Sequence, residues 1–180
     1  MVLGELFMRK TFLFAAALAA LAGPLLAMAP QPASARSSEV TVRDDYPAGT
    51  IVIHESQRRL YLMLGSGRAI SYPVGVGRHG MQWSGTVRID GKYIKPAWSP
   101  PADIKRAEPR LPDVIPGGSP HNPMGVAAMT LAGGEYAIHG TNVPNSVGGF
   151  VSYGCIRMLN ADISDLYQRV SVGTTVVVSR

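Results

Sequence analysis

Cysteine is nearly absent from this chain, which has a single one, Cys155, among its 180 residues. No disulfide can therefore form within the chain. An unpaired cysteine is commonly a small buried apolar side chain, and in an exported protein it indicates a reactive thiol or a bond between two chains. The residues around Cys155 have to distinguish these possibilities.

Clustered basic residues and metal-ligand motifs are also missing. The net charge is +5, but the 17 Lys and Arg residues are spread along the chain without the basic cluster typical of a nucleic-acid-binding protein. The His, Cys, Asp and Glu residues follow no metal-ligand spacing. We therefore expect no nucleic-acid partner, no metal and no cofactor.

Charged residues are absent from the region 11–35. Here an uninterrupted apolar run follows the basic pair Arg9-Lys10 and precedes a small-residue site of the Ala-x-Ala type at 33–35. These three parts in this order are typical of a secretory signal peptide. The sequence thus predicts a signal peptide over 1–35, cleavage after Ala35, and export to the periplasm or the cell wall.

The same region leaves two alternatives open. An uncleaved anchor would use the uncharged stretch as a membrane span, but its apolar core is shorter than a span requires. Helix-breaking residues also interrupt the stretch, namely Gly23, Pro24, Pro30 and Pro32. We therefore expect no stable membrane span after cleavage. Translation begins at Met1 or at Met8, and the basic pair directly after Met8 favours the second.

A histidine precedes the cysteine by 16 positions, and both have a glycine beside them. His139 is one of four histidines in the chain, Gly140 follows it, and Gly154 precedes Cys155. A thiol is a strong nucleophile as thiolate, and an imidazole commonly takes its proton. Glycine lets the backbone approach a substrate closely. The pattern therefore predicts a catalytic Cys-His pair.

The residues next to the cysteine supply further candidates. Backbone amides in the segment Ser152-Tyr153-Gly154 that leads into Cys155 could form an oxyanion hole, which stabilises charge on an attacked carbonyl oxygen. Arg157 lies two residues after the cysteine, so its side chain is on the same side if the segment is extended. Its positive charge would favour thiolate or bind a carboxylate.

Together these residues resemble the signature of a known family, the YkuD family of L,D-transpeptidase catalytic domains, which cross-link peptidoglycan. The resemblance is carried by His139-Gly140-Thr141, then Ser152-Tyr153-Gly154-Cys155-Ile156-Arg157-Met158, and Asn160. It extends over roughly 50–178. The family usually reads Ser-His-Gly-Cys, so Tyr153 stands where a second histidine is common.

The resemblance implies a mechanism and a substrate. Cys155 would attack a peptidoglycan stem peptide at a bond between an L-centre and a D-residue, with His139 as the base and the Gly140 carbonyl orienting it. A thioacyl-enzyme would then pass its acyl group to an amine, forming a cross-link or exchanging the terminal D-amino acid. The loop segments 96–101, which includes Trp98, and 116–125 would approach the cleft.

Three other functions are weighed against this one. An L,D-carboxypeptidase or endopeptidase would use the same residues and pass the acyl group to water. A non-catalytic wall-binding module would not need the thiol, and the intact Cys155 and His139 argue against it. A papain-like protease has its cysteine before its histidine, the reverse of the order here. The sequence indicates neither the acceptor, nor the composition of the stem peptide, nor the oligomeric state.

The sequence predicts a mainly β fold, a sandwich or partly closed barrel with one short helix after the cysteine. Residues 36–49 are predicted as a linker and 50–180 as the catalytic domain.

The region 95–125 is a proline-rich loop with a short helix candidate at 103–108. Apolar, β-prone runs predict strands at 50–54, 59–64, 69–77, 83–89, 124–131, 136–138 and 174–178. Asp90-Gly91 is predicted as a turn, and 160–170 as an amphipathic helix with Asn160 or Asp162 as its N-cap.

Overall fold

The computed structural model describes residues 37–43, 45–134 and 136–180. The predicted signal peptide at 1–35 lies outside these residues. None of the helices in the described ranges is both long enough and apolar enough to cross a membrane.

Most of the regular structure in the described part of the chain is strand. The strands are β1 (Ser38–Thr41), β2 (Ile51–His54), β3 (Arg59–Gly65), β4 (Arg68–Pro73), β5 (Val76–Gly77), β6 (Gly85–Ile94), β7 (Ala127–Leu131), β8 (Ala137–His139), β9 (Phe150–Ser152), β10 (Ile156–Arg157) and β11 (Thr175–Ser179). The helices are α1 (Ala102–Ala107), α2 (Asn160–Arg169) and a 3-10 turn at Pro144–Ser146. The predicted mainly β fold, with a short helix after the cysteine, is confirmed.

Nine strands form one mixed sheet in the order β1-β4-β3-β2-β11-β6-β7-β8-β10. Strands β2, β3 and β4 pair antiparallel, as their rapid succession predicts. Strand β11 returns from the end of the chain to lie parallel to β2 and antiparallel to β6. Strands β5 and β9 form a separate parallel pair.

Strand β6 joins two halves of the large sheet. One half contains β1, β4, β3, β2 and β11, and the other contains β7, β8 and β10. Its first residues pair with β11, and the residues from Ile89 onward pair with β7, with a shift of register between Ile89 and Gly91. The predicted turn at Asp90-Gly91 is therefore wrong. The register shift places a β-bulge here instead, and a Cβ at Gly91 would lie 2.6 Å from the Tyr93 hydroxyl oxygen.

The two halves of the sheet share one hydrophobic core. Successive side chains of a strand point to opposite faces of the sheet, so every second residue faces this core. In β2, Ile51 and Ile53 belong to the core while Val52 faces the opposite side. The other half contributes residues such as Met129 and Ile138 to the same core.

Strand β1 corrects the prediction of a linker over 36–49. It pairs antiparallel with β4 at the edge of the sheet. Val40 packs against a second apolar cluster formed by Val52, Met63 and Ala69. The short segment gains regular structure because an unpaired strand edge and an apolar surface are available to it.

Helix α2 presents the predicted apolar face, with Ile163 and Leu166 fully buried. The residue before the helix is Leu159, and no side chain caps this end, so the prediction of Asn160 or Asp162 as N-cap is wrong. At the other end, the Lys92 ammonium donates to the carbonyl of Tyr167 at 2.6 Å. A cation satisfies carbonyls that a helix C-terminus leaves unpaired.

Candidate active site

Parallel pairing of β8 and β10 brings the histidine and the cysteine together. In this register Ile138 lies beside Ile156 and His139 beside Arg157. The Met158 amide also donates to the His139 carbonyl at 2.8 Å. Cys155 immediately precedes β10, so it lies near the end of β8, although 16 positions separate it from His139.

A cavity of about 410 Å³ opens at this point. Six residues predicted from the sequence line it, namely Trp98, His139, Ser152, Tyr153, Cys155 and Arg157. Pro101, Pro123 and Met124 also line it, and they belong to the loop segments expected to approach the cleft. The remaining lining residues were not indicated by the sequence, namely Met81, Asp103, Ile104, Gly134 and Tyr136. The volume suits a small peptide or a comparable ligand.

His139 is buried, and the environment of its ring defines the tautomer. The Nδ1 atom lies 2.6 Å from the Gly140 carbonyl oxygen. Because a carbonyl accepts but cannot donate, Nδ1 carries the hydrogen, and in the neutral ring Nε2 has the free lone pair. Burial lowers the pKa of His139 to about 4 and the Arg157 charge acts in the same direction, while the backbone carbonyls of Gly140 and Pro123 oppose them. The imidazole is therefore a neutral base at pH 7.

Cys155 is half-buried. Burial raises the pKa of its thiol, while a hydrogen bond from the Ala137 backbone and the charge of Arg157 lower it. Burial is the largest of these effects, so the thiol is protonated at neutral pH. The resting pair is thus a thiol beside a neutral imidazole, an arrangement in which the base removes the proton as the nucleophile attacks.

Arg157 lines the same cavity as Cys155, as the alternation of an extended segment predicts. Burial lowers the pKa of its guanidinium, and the nearby Cys155 opposes this effect. Its Nε atom is buried without a hydrogen-bond partner. Arg157 is therefore the charge that both members of the Cys-His pair experience.

A short hydrogen-bonded turn holds the backbone before the cysteine. The Ser152 hydroxyl donates to the Cys155 carbonyl at 2.6 Å and accepts from the Gly154 amide at 3.0 Å. The Gly154 amide is thus already engaged, which corrects its prediction as an oxyanion donor. Among the described residues, the amides of Tyr153 and Cys155 have no acceptor.

Tyr153 contacts an arginine that the sequence did not indicate. The Arg78 guanidinium lies 3.8 Å from the centroid of the Tyr153 ring. The Arg78 amide also donates to the Ser152 carbonyl at 2.9 Å. This cation–π contact supports the ring that occupies the position of the family's second histidine.

The proline-rich loop is held by its own backbone and by one buried amide. Trp98 and Ile115 exchange two backbone hydrogen bonds, of 2.9 and 2.8 Å. The Asn122 side chain, which is 1% exposed, donates to the Pro96 carbonyl at 2.9 Å and accepts from the Met124 amide at 2.9 Å. The loop thereby keeps Trp98 and α1, which includes Asp103 and Ile104, against the cavity.

Asn160 ties three segments together behind the histidine. Its Oδ1 atom accepts from the Val126 amide at 3.3 Å and from the Thr141 amide at 3.1 Å. A Cβ at Gly125 or at Gly140 would overlap this oxygen. The sequence includes Asn160 in the family signature, but its contacts come from residues 19 and 34 positions away.

Within residues 37–43, 45–134 and 136–180, no group of three His, Cys, Asp or Glu side chains could hold a metal ion. The chemistry that this site offers is attack of the Cys155 thiol on a carbonyl, with the neutral His139 imidazole as base.

Comparisons with known proteins agree with this chemistry. A family model described as the L,D-transpeptidase catalytic domain, YkuD, matches residues 48–178. The probable L,D-transpeptidase YbiS of Escherichia coli is 40% identical over 135 residues, which are 70% of this chain and 43% of the relative. The chain thus spans less than half the length of that curated relative.

Solved structures share the fold. An L,D-transpeptidase from Mycobacterium smegmatis is 18% identical, with a TM-score of 0.58 over 73% of this chain and 58% of that one. A Brucella melitensis structure named a probable carnitine operon oxidoreductase is 39% identical, with a TM-score of 0.53 over 77% of this chain and 90% of that one.

Proposed function

The chain belongs to the YkuD family of L,D-transpeptidase catalytic domains, and from this membership we propose that it is a cysteine-dependent L,D-transpeptidase acting on peptidoglycan stem peptides. One observation supports this above the others. Cys155 and His139 line the same cavity, and the Gly140 carbonyl leaves Nε2 of His139 as the basic nitrogen. A binding module would not need this tautomer.

In the proposed first step His139 Nε2 takes the proton of the Cys155 thiol as the sulfur attacks a peptide carbonyl. A bond forms between sulfur and carbon, and the carbonyl electron pair moves to oxygen. The bond from carbon to the leaving nitrogen then breaks, and His139 returns the proton to that amine. The D-amino acid leaves, and a thioester to Cys155 remains.

The oxyanion of the first step is assigned to backbone amides. The amides of Tyr153 and Cys155 have no acceptor in the described part of the chain, and this supports them as donors. The Gly154 amide is excluded because it donates to the Ser152 hydroxyl. Fixed donors of this kind commonly contribute a factor of about 10²–10³ to the rate.

In the proposed second step an amine of another stem peptide or of a free D-amino acid attacks the thioester. His139 takes the proton of the amine, the carbon–sulfur bond breaks, and the thiol is restored. Trp98, Tyr153 and Arg157 are proposed to contact substrate, because all three line the cavity. Arg157 offers a cation to a carboxylate of the peptide.

We also propose that the chain is exported after cleavage following Ala35. The apolar run and the Ala-x-Ala site support this, as does the location of peptidoglycan outside the cytoplasmic membrane. N-terminal sequencing of the protein recovered from the periplasm or medium should begin at Arg36. Recovery of the whole chain in the membrane fraction would contradict cleavage.

The test of the activity uses intact-protein mass spectrometry after incubation with disaccharide-tetrapeptide wall fragments. Wild type is compared with Cys155→Ala and His139→Gln, and the fragments are analysed in parallel. A thioacyl adduct on the wild type, absent from Cys155→Ala, together with cross-linked dimers or exchanged D-residues, is the expected result. Loss of the terminal D-residue without transfer to an amine would identify a hydrolase, and no adduct with unchanged fragments would overturn an enzymatic role.

A further inference from the structure

An indole outside the catalytic cavity binds the peptide group that contains the cysteine amide. Trp83 Nε1 donates to the Gly154 carbonyl oxygen at 3.0 Å. In a planar trans peptide the carbonyl of one residue and the N–H of the next point in opposite directions. The hydrogen bond from Trp83 therefore directs the Cys155 N–H away from the indole.

This peptide group would otherwise have freedom to rotate. Gly154 has a φ of +122°, in a region where side chains are strained, and glycine permits rotation of the peptide that follows it. The Ser152 hydroxyl holds the groups on either side, namely the Gly154 amide and the Cys155 carbonyl. Neither bond involves the Gly154 carbonyl or the Cys155 amide. Within the described part of the chain, Trp83 is the side chain that binds this peptide group.

Trp83 is itself held in place from two directions. Its backbone amide donates to a carboxylate oxygen of Glu55 at 3.2 Å, and Glu55 is fully buried. Its ring stacks on Tyr136, with centroids 4.9 Å apart and planes 14° apart. Tyr136 lines the cavity, and its ring occupies the space where a Cβ on Gly154 would lie. The indole is thus a preorganised donor.

We propose that Trp83 is a positioning residue, whose indole N–H holds the Gly154 carbonyl and so aims the Cys155 amide at the oxyanion of the reacting carbonyl. This inference rests on the proposed function, because it needs a reaction that passes through an oxyanion. It assigns Trp83 no contact with substrate. Its contribution appears as charge develops on the carbonyl oxygen.

The test compares two reactions of the same thiol. Acylation by a stem peptide develops an oxyanion, whereas alkylation by iodoacetamide displaces iodide at a saturated carbon and develops none. Trp83→Phe keeps an aromatic ring for Tyr136 and removes the N–H. We expect its acylation rate at saturating substrate to fall about 10-fold to 100-fold. Removing an oxyanion-hole donor altogether costs about 10²–10³-fold, and a donor that is only misaligned should cost no more than that. The pH profile of alkylation should not change.

A second variant covers the case in which phenylalanine disturbs folding. Benzothienylalanine at position 83 keeps the shape of the indole and replaces its N–H by sulfur. It should retain the unfolding midpoint of the wild type and show the same selective loss of acylation. Trp98→Phe, in the cavity wall, is the contrast, and it should raise KM because the smaller ring would bind the substrate less tightly.

Three outcomes separate the inference from the function on which it rests. Unchanged acylation in both Trp83 variants would overturn the positioning role, and so would an equal fall in acylation and alkylation. A wild-type protein whose thiol is alkylated but never acylated by wall fragments would overturn the proposed function itself.

Discussion

His139 and Cys155 share one charged neighbour, Arg157, which shifts the pKa of each. Arg157 lowers the pKa of His139 and also lowers that of the Cys155 thiol. Burial dominates both groups, so the pair rests as neutral imidazole and neutral thiol. The reactive form then exists at every pH above the pKa of His139, which is about 4, and below that of the thiol.

Replacing Arg157 by Gln should move the acid limb of activity to higher pH. The positive charge that opposes protonation of His139 would be gone, so its pKa would rise from about 4 and the base would be lost earlier on acidification. The pH dependence of acylation measures this shift. Arg157→Lys is the matched control, since it keeps the charge and should keep the limb within about half a pH unit. Equal shifts in both variants would contradict the electrostatic explanation.

The buried carboxyl of Glu55 should make the stability of the protein depend on pH. Burial raises its pKa, against hydrogen bonds from Trp83 and Gly77 and the charge of Arg180. The folded state thus favours the protonated carboxyl, so the stability contributed by this group is present at low pH and is lost as pH rises through the raised pKa.

Glu55→Gln removes this titration. Relative to wild type, the variant should gain free energy of unfolding as the pH is raised from 4 to 7, as measured by urea unfolding at several pH values. Glu39→Gln is the comparison, because Glu39 is an exposed residue paired with Arg68. A difference between wild type and Glu55→Gln that stays constant with pH would rule out the raised pKa.

At the scale of elements, one side chain holds the exit of β8 against the start of α2. Asn160 accepts hydrogen bonds from the Val126 amide, just before β7, and from the Thr141 amide, just after β8. Because the oxygen also packs against Gly125 and Gly140, no larger group fits there. A residue that does not line the cavity thus holds the backbone that follows His139.

Asn160→Ala should cost about 1–3 kcal/mol of unfolding free energy, because two amides lose their acceptor. It should also lower the acylation rate, since Thr141 and its neighbours are no longer held. Asn160→Asp keeps an acceptor oxygen in the same place and should retain most of both. Thermal unfolding and single-turnover acylation measure the two effects. If the Asp variant is as damaged as the Ala variant, the acceptor role is wrong.

At the scale of the whole molecule, the edge strand β1 completes the sheet. Val40 covers the cluster of Val52, Met63 and Ala69, while Thr41 is exposed. Val40→Asp should therefore destabilise the protein by about 1–3 kcal/mol, because a carboxylate would meet an apolar surface. Thr41→Asp, one position along the same strand, should change stability by about 0.5 kcal/mol or less. Equal effects in a chemical denaturation experiment would show that β1 contributes pairing without packing.

Local patterns explain why much of this molecule is predictable. The apolar, β-prone runs of β2 and β3 and the helical spacing of Ile163 and Leu166 each depend on neighbours within one element, so the strands and α2 follow from the sequence. The errors involve distant partners. Asp90-Gly91 has the composition of a turn, yet pairing with β7 keeps it within β6. Asn160 is a residue type that commonly caps a helix N-terminus, yet its side-chain oxygen accepts from the Val126 and Thr141 amides instead.

The sequence by itself determined the chemistry that this protein can offer, because the thiol, the imidazole and the adjoining cation lie within one short segment whose spacing is readable. Only the tertiary structure decided how that chemistry is oriented. The carbonyl of Gly154 is held by Trp83, 71 positions away, and Trp83 by Glu55, 28 positions further. Contacts at such separations depend on the pairing of strands, and hydrogen bonds act through direction and distance, which a linear pattern does not contain.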